Sequence, residues 1–135
     1  MSRLMIVDDE AVITTQLEDR LRSMKYDVVG TASSAEESVS MARELRPDLI
    51  LMDIVMQGKL DGIDAAKIIK TDMDIPIIFL TAYADEKYIN RAIQADPFGY
   101  IVKPFRENEI RANIEIALYR KSLERKQKQT EERIR

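Results

Sequence analysis

The chain contains no cysteine and no histidine. The first absence excludes disulfides and thiolate metal sites. The second closes imidazole-based metal, catalytic and phosphocarrier roles, so site chemistry must come from carboxylates, hydroxyls and ammonium groups. Long apolar runs are also missing. Residues 75–82 form one of the longest, far short of the roughly 20 residues a membrane-spanning helix needs. No secretory signal is expected, because a short apolar run leads directly into Asp8, Asp9 and Glu10. The cytoplasm is the expected compartment. There is no basic excess either: Lys and Arg number 21 against 24 Asp and Glu. Residues 121–135 hold six of those basic residues and three Glu, which leaves a distinctly acidic body. Such a body does not suit nucleic acid, and the basic end reads as a solvated helix terminus. Neither nucleic acid nor membrane is expected as a direct partner.

What is present is a globular pattern. The 135 residues are 45% hydrophobic and 33% charged, enough for one domain with a sizeable core. Short apolar runs alternate five times with stretches of helical period. Leu4 to Val7 reads as a strand, followed by a helix with Ile13, Leu17, Leu21 and Met24 on one face. Val28, Val29 and Thr31 suggest a second strand. Ser34 and Glu37 then form a capping-box pattern ahead of Val39, Ala42 and Leu45, and Pro47 ends that helix. Leu49 to Met52 is wholly apolar, as a strand covered on both faces should be. Gly58 and Asp61-Gly62 mark a loop before a helix with Ile63, Ala66 and Ile69. Ile77 to Leu80, a helix with Tyr88, Ile89, Ala92 and Ile93, the strand Tyr100 to Val102, and a helix with Ile110, Ile114, Ala117 and Leu118 complete the series. Strands alternating with helices imply a parallel sheet with helices on both faces. No Gly or Pro follows Pro104, so the last helix is expected to continue past Arg120.

Polar residues end the apolar strands. Asp8 and Asp9 follow the first, Asp53 the third, Thr81 the fourth and Lys103 the fifth. In a parallel sheet these ends share the carboxyl edge, where open α/β sheets bind ligands. Any one of them is explained as a helix cap or a surface charge. Capping does not account for all five together. Three adjacent carboxylates repel one another unless a cation joins them. Oxygen ligands select a hard ion such as Mg²⁺. A carboxylate beside such an ion is a competent nucleophile toward phosphorus. The Lys103 ammonium and the Thr81 hydroxyl suit the oxygens of the transferred group.

With Asp8-Asp9-Glu10 after a strand, Asp53 ending Leu-Ile-Leu-Met, Thr81-Ala82, and Lys103-Pro104-Phe105, the chain resembles the receiver domain of response regulators, over about residues 3–120. The resemblance implies a three-layer, doubly wound, flavodoxin-like fold with five parallel strands in the order 2-1-3-4-5. It implies a receiver body over 1–120 and a helical extension or linker over 121–135. Asp53 would accept a phosphoryl group from a phosphohistidine of a sensor kinase or phosphotransfer protein. Asp9, Asp53 and the backbone carbonyl of Val55 would hold Mg²⁺ directly, and Asp8 through a water. Lys103 would pair with the acceptor carboxylate and then with the phosphoryl group, and the Lys103-Pro104 bond would be cis. Thr81 and Tyr100 would form the switch. Such a chain is a signalling module that catalyses only its own phosphorylation and dephosphorylation. A homodimer through the fourth and fifth helices would use Glu86, Lys87, Arg91, Arg106, Glu109 and Arg111.

The chain departs from the family pattern in two places. Gln57 stands where a proline is usual, and the loop through Gly58-Lys59-Leu60 is one residue longer. Val55 and Tyr83 occupy positions that tune water access in this family, and Tyr83 is expected to shield the acyl phosphate. Three other readings compete. A haloacid-dehalogenase-type phosphatase needs an acid two residues after its nucleophile, where this chain has Val55. A flavin carrier needs small donors after the first strand, where the three acids would repel a phosphate. A degenerate scaffold receiver would have lost an acid or the lysine.

Overall fold

Leucine, isoleucine and methionine alternate along the central strands so that neighbouring side chains enter opposite layers. A computed structural model describes residues 1–82 and 86–134, and within it the chain runs β1(Arg3–Val7), α1(Ala11–Ser23), β2(Asp27–Ala32), α2(Ala35–Leu45), β3(Leu49–Asp53), α3(Gly62–Met73), β4(Ile77–Thr81), α4(Glu86–Gln94), β5(Gly99–Val102) and α5(Glu107–Ile134). The five strands form one sheet in the order β2-β1-β3-β4-β5, and every pairing is parallel. This is the expected doubly wound architecture.

The core has two layers. Leu49 and Leu51 of β3 point toward Leu17 and Leu21 of α1 and Ile110, Ile114 and Ala117 of α5. Ile50 and Met52 point the other way, toward Val39 and Ala42 of α2, Ile63 and Ile69 of α3, and Ala92 of α4. Every residue of β3 and β4 is buried. Each leucine or isoleucine so enclosed contributes about 1.5–3 kcal/mol relative to exposure. Because both faces are covered, β3 and β4 are held rigidly, and so are the residues at their carboxyl ends.

The helix boundaries follow local chemistry. The Ser34 side chain accepts the Glu37 N–H at 3.1 Å, which is one half of the expected capping box of α2. That helix ends at Leu45, with Arg46 in the left-handed region just before Pro47. At α3 a complete capping box forms: Asp61 accepts from Asp64 N–H, and Asp64 accepts from Asp61 N–H, each at 3.0 Å.

One expectation needs correction. Ile93 was assigned to the apolar face of α4, yet it is 65% exposed, and the helix buries only Ala92. Position 93 lies about 100° around the helix from Ala92 and so misses the sheet. Arg91, named among the surface charges of α4, pairs with Asp61 at the start of α3 while its side chain stays 36% exposed.

Helix α5 passes residue 120 without a break and spans 28 residues, about 42 Å at roughly 1.5 Å per residue. Lys121 is buried, and its ammonium lies 2.7 Å from Asp74 Oδ2 at the end of α3. The helix is thus still tied to the body one residue beyond the expected boundary. Among the described residues, no helix is long and apolar enough to cross a membrane.

Candidate functional site

Parallel pairing places the ends of β1, β3, β4 and β5 along one edge, which gathers the expected site residues. Asp8 follows β1 directly, and its N–H continues the ladder by donating to Ala32 O at 3.0 Å. Its side chain is almost fully enclosed: Oδ1 accepts the Glu10 N–H and Oδ2 accepts from Lys103 Nζ, each at 2.9 Å. Asp9 and Glu10 are exposed, and carboxylate oxygens of Asp8, Asp9 and Glu10 lie within 4.8 Å of one another. Asp53 is the last residue of β3 and is 6% exposed. A cavity of about 450 Å³ opens beside it, lined by Asp9, Glu10, Asp53, Val55, Met56, Gln57, Ala82 and Lys103.

Lys103 pairs with Asp53 as expected and with Asp8 as well. Its ammonium is 2.9 Å from Asp8 but 3.9 Å from Asp53 Oδ1, so its closer partner is Asp8. The Lys103-Pro104 bond is cis, as expected. The Lys103 N–H donates to Thr81 O at 2.7 Å, which ties the lysine to the end of β4.

The electrostatics follow from this crowding. Burial, reinforced by the charge on Asp8 and then that on Asp9, pushes the Asp53 carboxyl from 3.8 up to about 7, against the lowering pull of Lys103. In the metal-free protein, Asp8→Asn is therefore expected to lower the Asp53 pKa and Lys103→Met to raise it. Side-chain ¹³C titration of Asp53 would show both shifts. The same direction in both variants would refute this account of the pocket.

Thr81 and Tyr100 share one face of the sheet. Phe79 is the register partner of Tyr100, Thr81 lies two residues beyond Phe79, and the two rings meet edge to face at 6.5 Å. Thr81 is fully buried and Tyr100 half-buried, packed against the layer that α4 covers. Val55 is half-buried at the wall of the cavity. Tyr83 lies outside the described residues.

The lengthened loop has its own supports. Gly58 adopts a φ of +123°, a conformation L side chains rarely adopt, which accommodates the turn. Leu60 N–H donates to Glu36 Oε1 on α2 at 3.3 Å. Gly62 N–H donates to Ile54 O at 2.8 Å, which folds the start of α3 back onto the residue after Asp53. Sequence reasoning had marked Gly62 as a loop residue but had not singled out Glu36 or the Asp61–Arg91 pair. The Asp61-x-x-Asp64 spacing was a legible cap signal, but no local pattern indicates a contact to Arg91, 30 residues away.

Acids and a lysine thus meet around a buried carboxylate at the carboxyl edge of the sheet, where open α/β sheets bind ligands. The chain matches the family model of the response regulator receiver domain over residues 4–115 and belongs to that family. Such domains are signalling modules whose standard role is to accept a phosphoryl group in two-component systems. Among curated relatives, the transcriptional regulatory protein PdtaR of Mycobacterium tuberculosis is 39% identical over 118 residues, covering 87% of this chain and 57% of that protein. The chain thus spans about half the length of the curated relatives it matches. Among solved structures, the receiver domain of a modulated diguanylate cyclase from Desulfovibrio desulfuricans aligns with a TM-score of 0.88 at 37% identity, covering 92% of this chain and 98% of that one. The response regulator domain of Thermotoga maritima CheB aligns with a TM-score of 0.80 at 30% identity, covering 88% and 97%.

Proposed function

We propose that Asp53 is the phosphoacceptor of this receiver and that Mg²⁺ is its cofactor. The observation that carries this reading is the Asp53 carboxyl itself, buried at the end of a rigid strand, crowded by acids and facing a cavity. The donor set fits a hard cation, since it consists of oxygen and contains no sulfur or imidazole. Asp9, Asp53 and the Val55 carbonyl would hold Mg²⁺ directly, and Asp8 through a water. When bound, the ion would offset the acid repulsion, favour the carboxylate form of Asp53 and bind a phosphoryl oxygen.

The remaining chemistry belongs to the chain. An Asp53 oxygen attacks phosphorus, and the P–N bond of the donor phosphohistidine breaks. The imidazole leaves with the bonding electrons and takes a proton from solvent. Lys103, already linking Asp8 and Asp53, supplies a cation for the added charge, and the Thr81 hydroxyl supplies a donor to a phosphoryl oxygen. Thr81 and Tyr100, on the face covered by α4, then carry the change to the surface. Hydrolysis of the acyl phosphate, catalysed by the same site, resets it.

The donor is a sensor histidine kinase or a phosphotransfer protein. An apolar groove of about 410 Å³ beside the site, lined by Ile13, Leu17, Pro104 and Phe105 with Lys103 at its edge, supports docking of such a partner. We read residues 1–120 as the receiver body and 121–135 as its helical extension. The exposed charges Glu86 and Lys87 of α4, Arg106 just before α5, and Glu109 and Arg111 of α5 leave that surface to a second copy.

Incubation with a small phosphodonor and Mg²⁺ tests the reading. The expected result is a mass gain of one phosphoryl group that is absent in Asp53→Asn and suppressed by a chelator. No Mg²⁺-dependent gain in the unmutated chain would refute it.

A further inference from the structure

The segment after Asp53 is held at its far end by α4. Arg91 Nη1 lies 2.7 Å from Asp61 Oδ2, while Nη2 lies 3.4 Å from Asp61 Oδ1 and 3.5 Å from Asp64 Oδ1. The guanidinium thus spans both acids of the α3 capping box. Burial pushes the Asp61 carboxyl up, but the Arg91 hydrogen bond and the Asp64 N–H outweigh it and hold the carboxyl below its ordinary value. The next residue, Gly62, abuts the acceptor. Its N–H donates to Ile54 O at 2.8 Å, and a Cβ placed on it would fall 1.9 Å from Asp53 O. Asp53 is therefore linked to α4 by an unbroken series of short contacts: its own peptide group, Gly62, Asp61 and Arg91.

We propose that Arg91 is a positioning residue for the acceptor segment, acting through Asp61 to couple the placement of α4 to that of the Asp53–Gly62 backbone. This route is separate from the Thr81 and Tyr100 side chains. It uses main-chain contact on the other side of Asp53, and it ends on the same helix. The coupling is reciprocal: a partner that grips α4 and draws Arg91 from Asp61 also shifts the acceptor's backbone. The meaning of the signal rests on the receiver reading above, whereas the mechanical link exists without phosphoryl group or ion.

The test is amide hydrogen exchange and NMR on the full chain. In the metal-free protein, Arg91→Gln is expected to speed exchange of the Gly62 N–H about three- to fivefold, the effect of losing one well-formed ion pair. The amide of Leu51 in β3 serves as the reference for global opening and should not change. Asp61→Asn keeps a capping oxygen but loses the charge, so it should match Arg91→Gln, and the double variant should be no faster than either. Arg91→Lys should restore part of the protection. With phosphodonor and Mg²⁺, the shift changes over residues 88–94 should shrink in Arg91→Gln while the phosphoryl mass gain persists. Unchanged Gly62 exchange in Arg91→Gln, or full additivity in the double variant, would overturn the proposal. If the unmutated chain gains no phosphoryl group, the receiver reading fails, and the metal-free exchange still decides the role of Arg91.

Discussion

Replacing Asp53 with asparagine is expected to stabilise the metal-free protein at pH 8 by about 2 kcal/mol. The folded state holds this carboxyl at about 7, against an ordinary 3.8, because burial and the neighbouring Asp8 penalise its charge. At about 1.4 kcal/mol per pH unit the whole shift corresponds to roughly 4 kcal/mol, and screening at a site that opens on a cavity reduces it by about half. Between pH 4 and 7 the unfolded chain has already released this proton while the folded chain still binds it. Stability of the unmutated protein therefore falls as pH rises through that window. Asparagine does not titrate, so the two proteins should diverge across the window, reach their largest difference above pH 7 and converge below pH 4. Urea unfolding with chelator at several pH values measures this. Added Mg²⁺ should narrow the gap, because in the proposed site Asp53 would be a ligand and binding would stabilise the folded state that holds it. If Asp53→Asn is the less stable protein at pH 8 in chelator, the acid repulsion inferred for this pocket is wrong.

Gly62→Ala should have a comparable effect of opposite sign, a loss of about 3 kcal/mol, at the upper end of what overpacking usually costs. The added methyl group would meet Asp53 O at 1.9 Å, Asp53 C at 2.9 Å and Ile54 Cα at 3.0 Å. All three are backbone atoms of or next to β3, so no rotamer change relieves the clash. Either α3 moves outward, at the expense of Ile63 and Ile69 in the core, or the acceptor's peptide group moves and the site is distorted. The expected results are a lower urea midpoint and slower phosphoryl uptake. A variant within about 0.5 kcal/mol of the unmutated protein, the range of neutral surface changes, would mean that the α3 start yields easily. That outcome would also weaken the proposed link from Asp53 to α4.

Much of this was legible in the chain. The alternation of short apolar runs with helical-period stretches specifies a parallel α/β sheet, because both periods are set by backbone geometry. The residues at the strand ends could be assigned to one edge for the same reason. The family they imply is shown by the match over residues 4–115, while their individual roles as acid pocket, lysine and switch pair came from the motif resemblance and are proposals. Local capping chemistry was also readable, as at Ser34.

The rest depends on contacts between residues far apart in the chain. Asp8 and Lys103 are 95 residues apart, and their pairing at 2.9 Å reflects where two strand ends meet and which carboxylate is the more enclosed. Asp53 reaches about 7 only because a particular packing removes its water and brings Asp8 close. Ile93 is exposed and Arg91 reaches Asp61 because α4 meets the sheet at one rotation and not another. The sequence by itself determined the layered sheet, the edge that carries the chemistry and the residue types available there, since these follow from period, strand order and side-chain identity. Only the tertiary structure decided which carboxylate the lysine holds, how strongly Asp53 resists its charge, and that Arg91 grips the end of the acceptor loop. Each of these depends on distances of a few ångströms and on lost solvent, which arise only once the layers have packed.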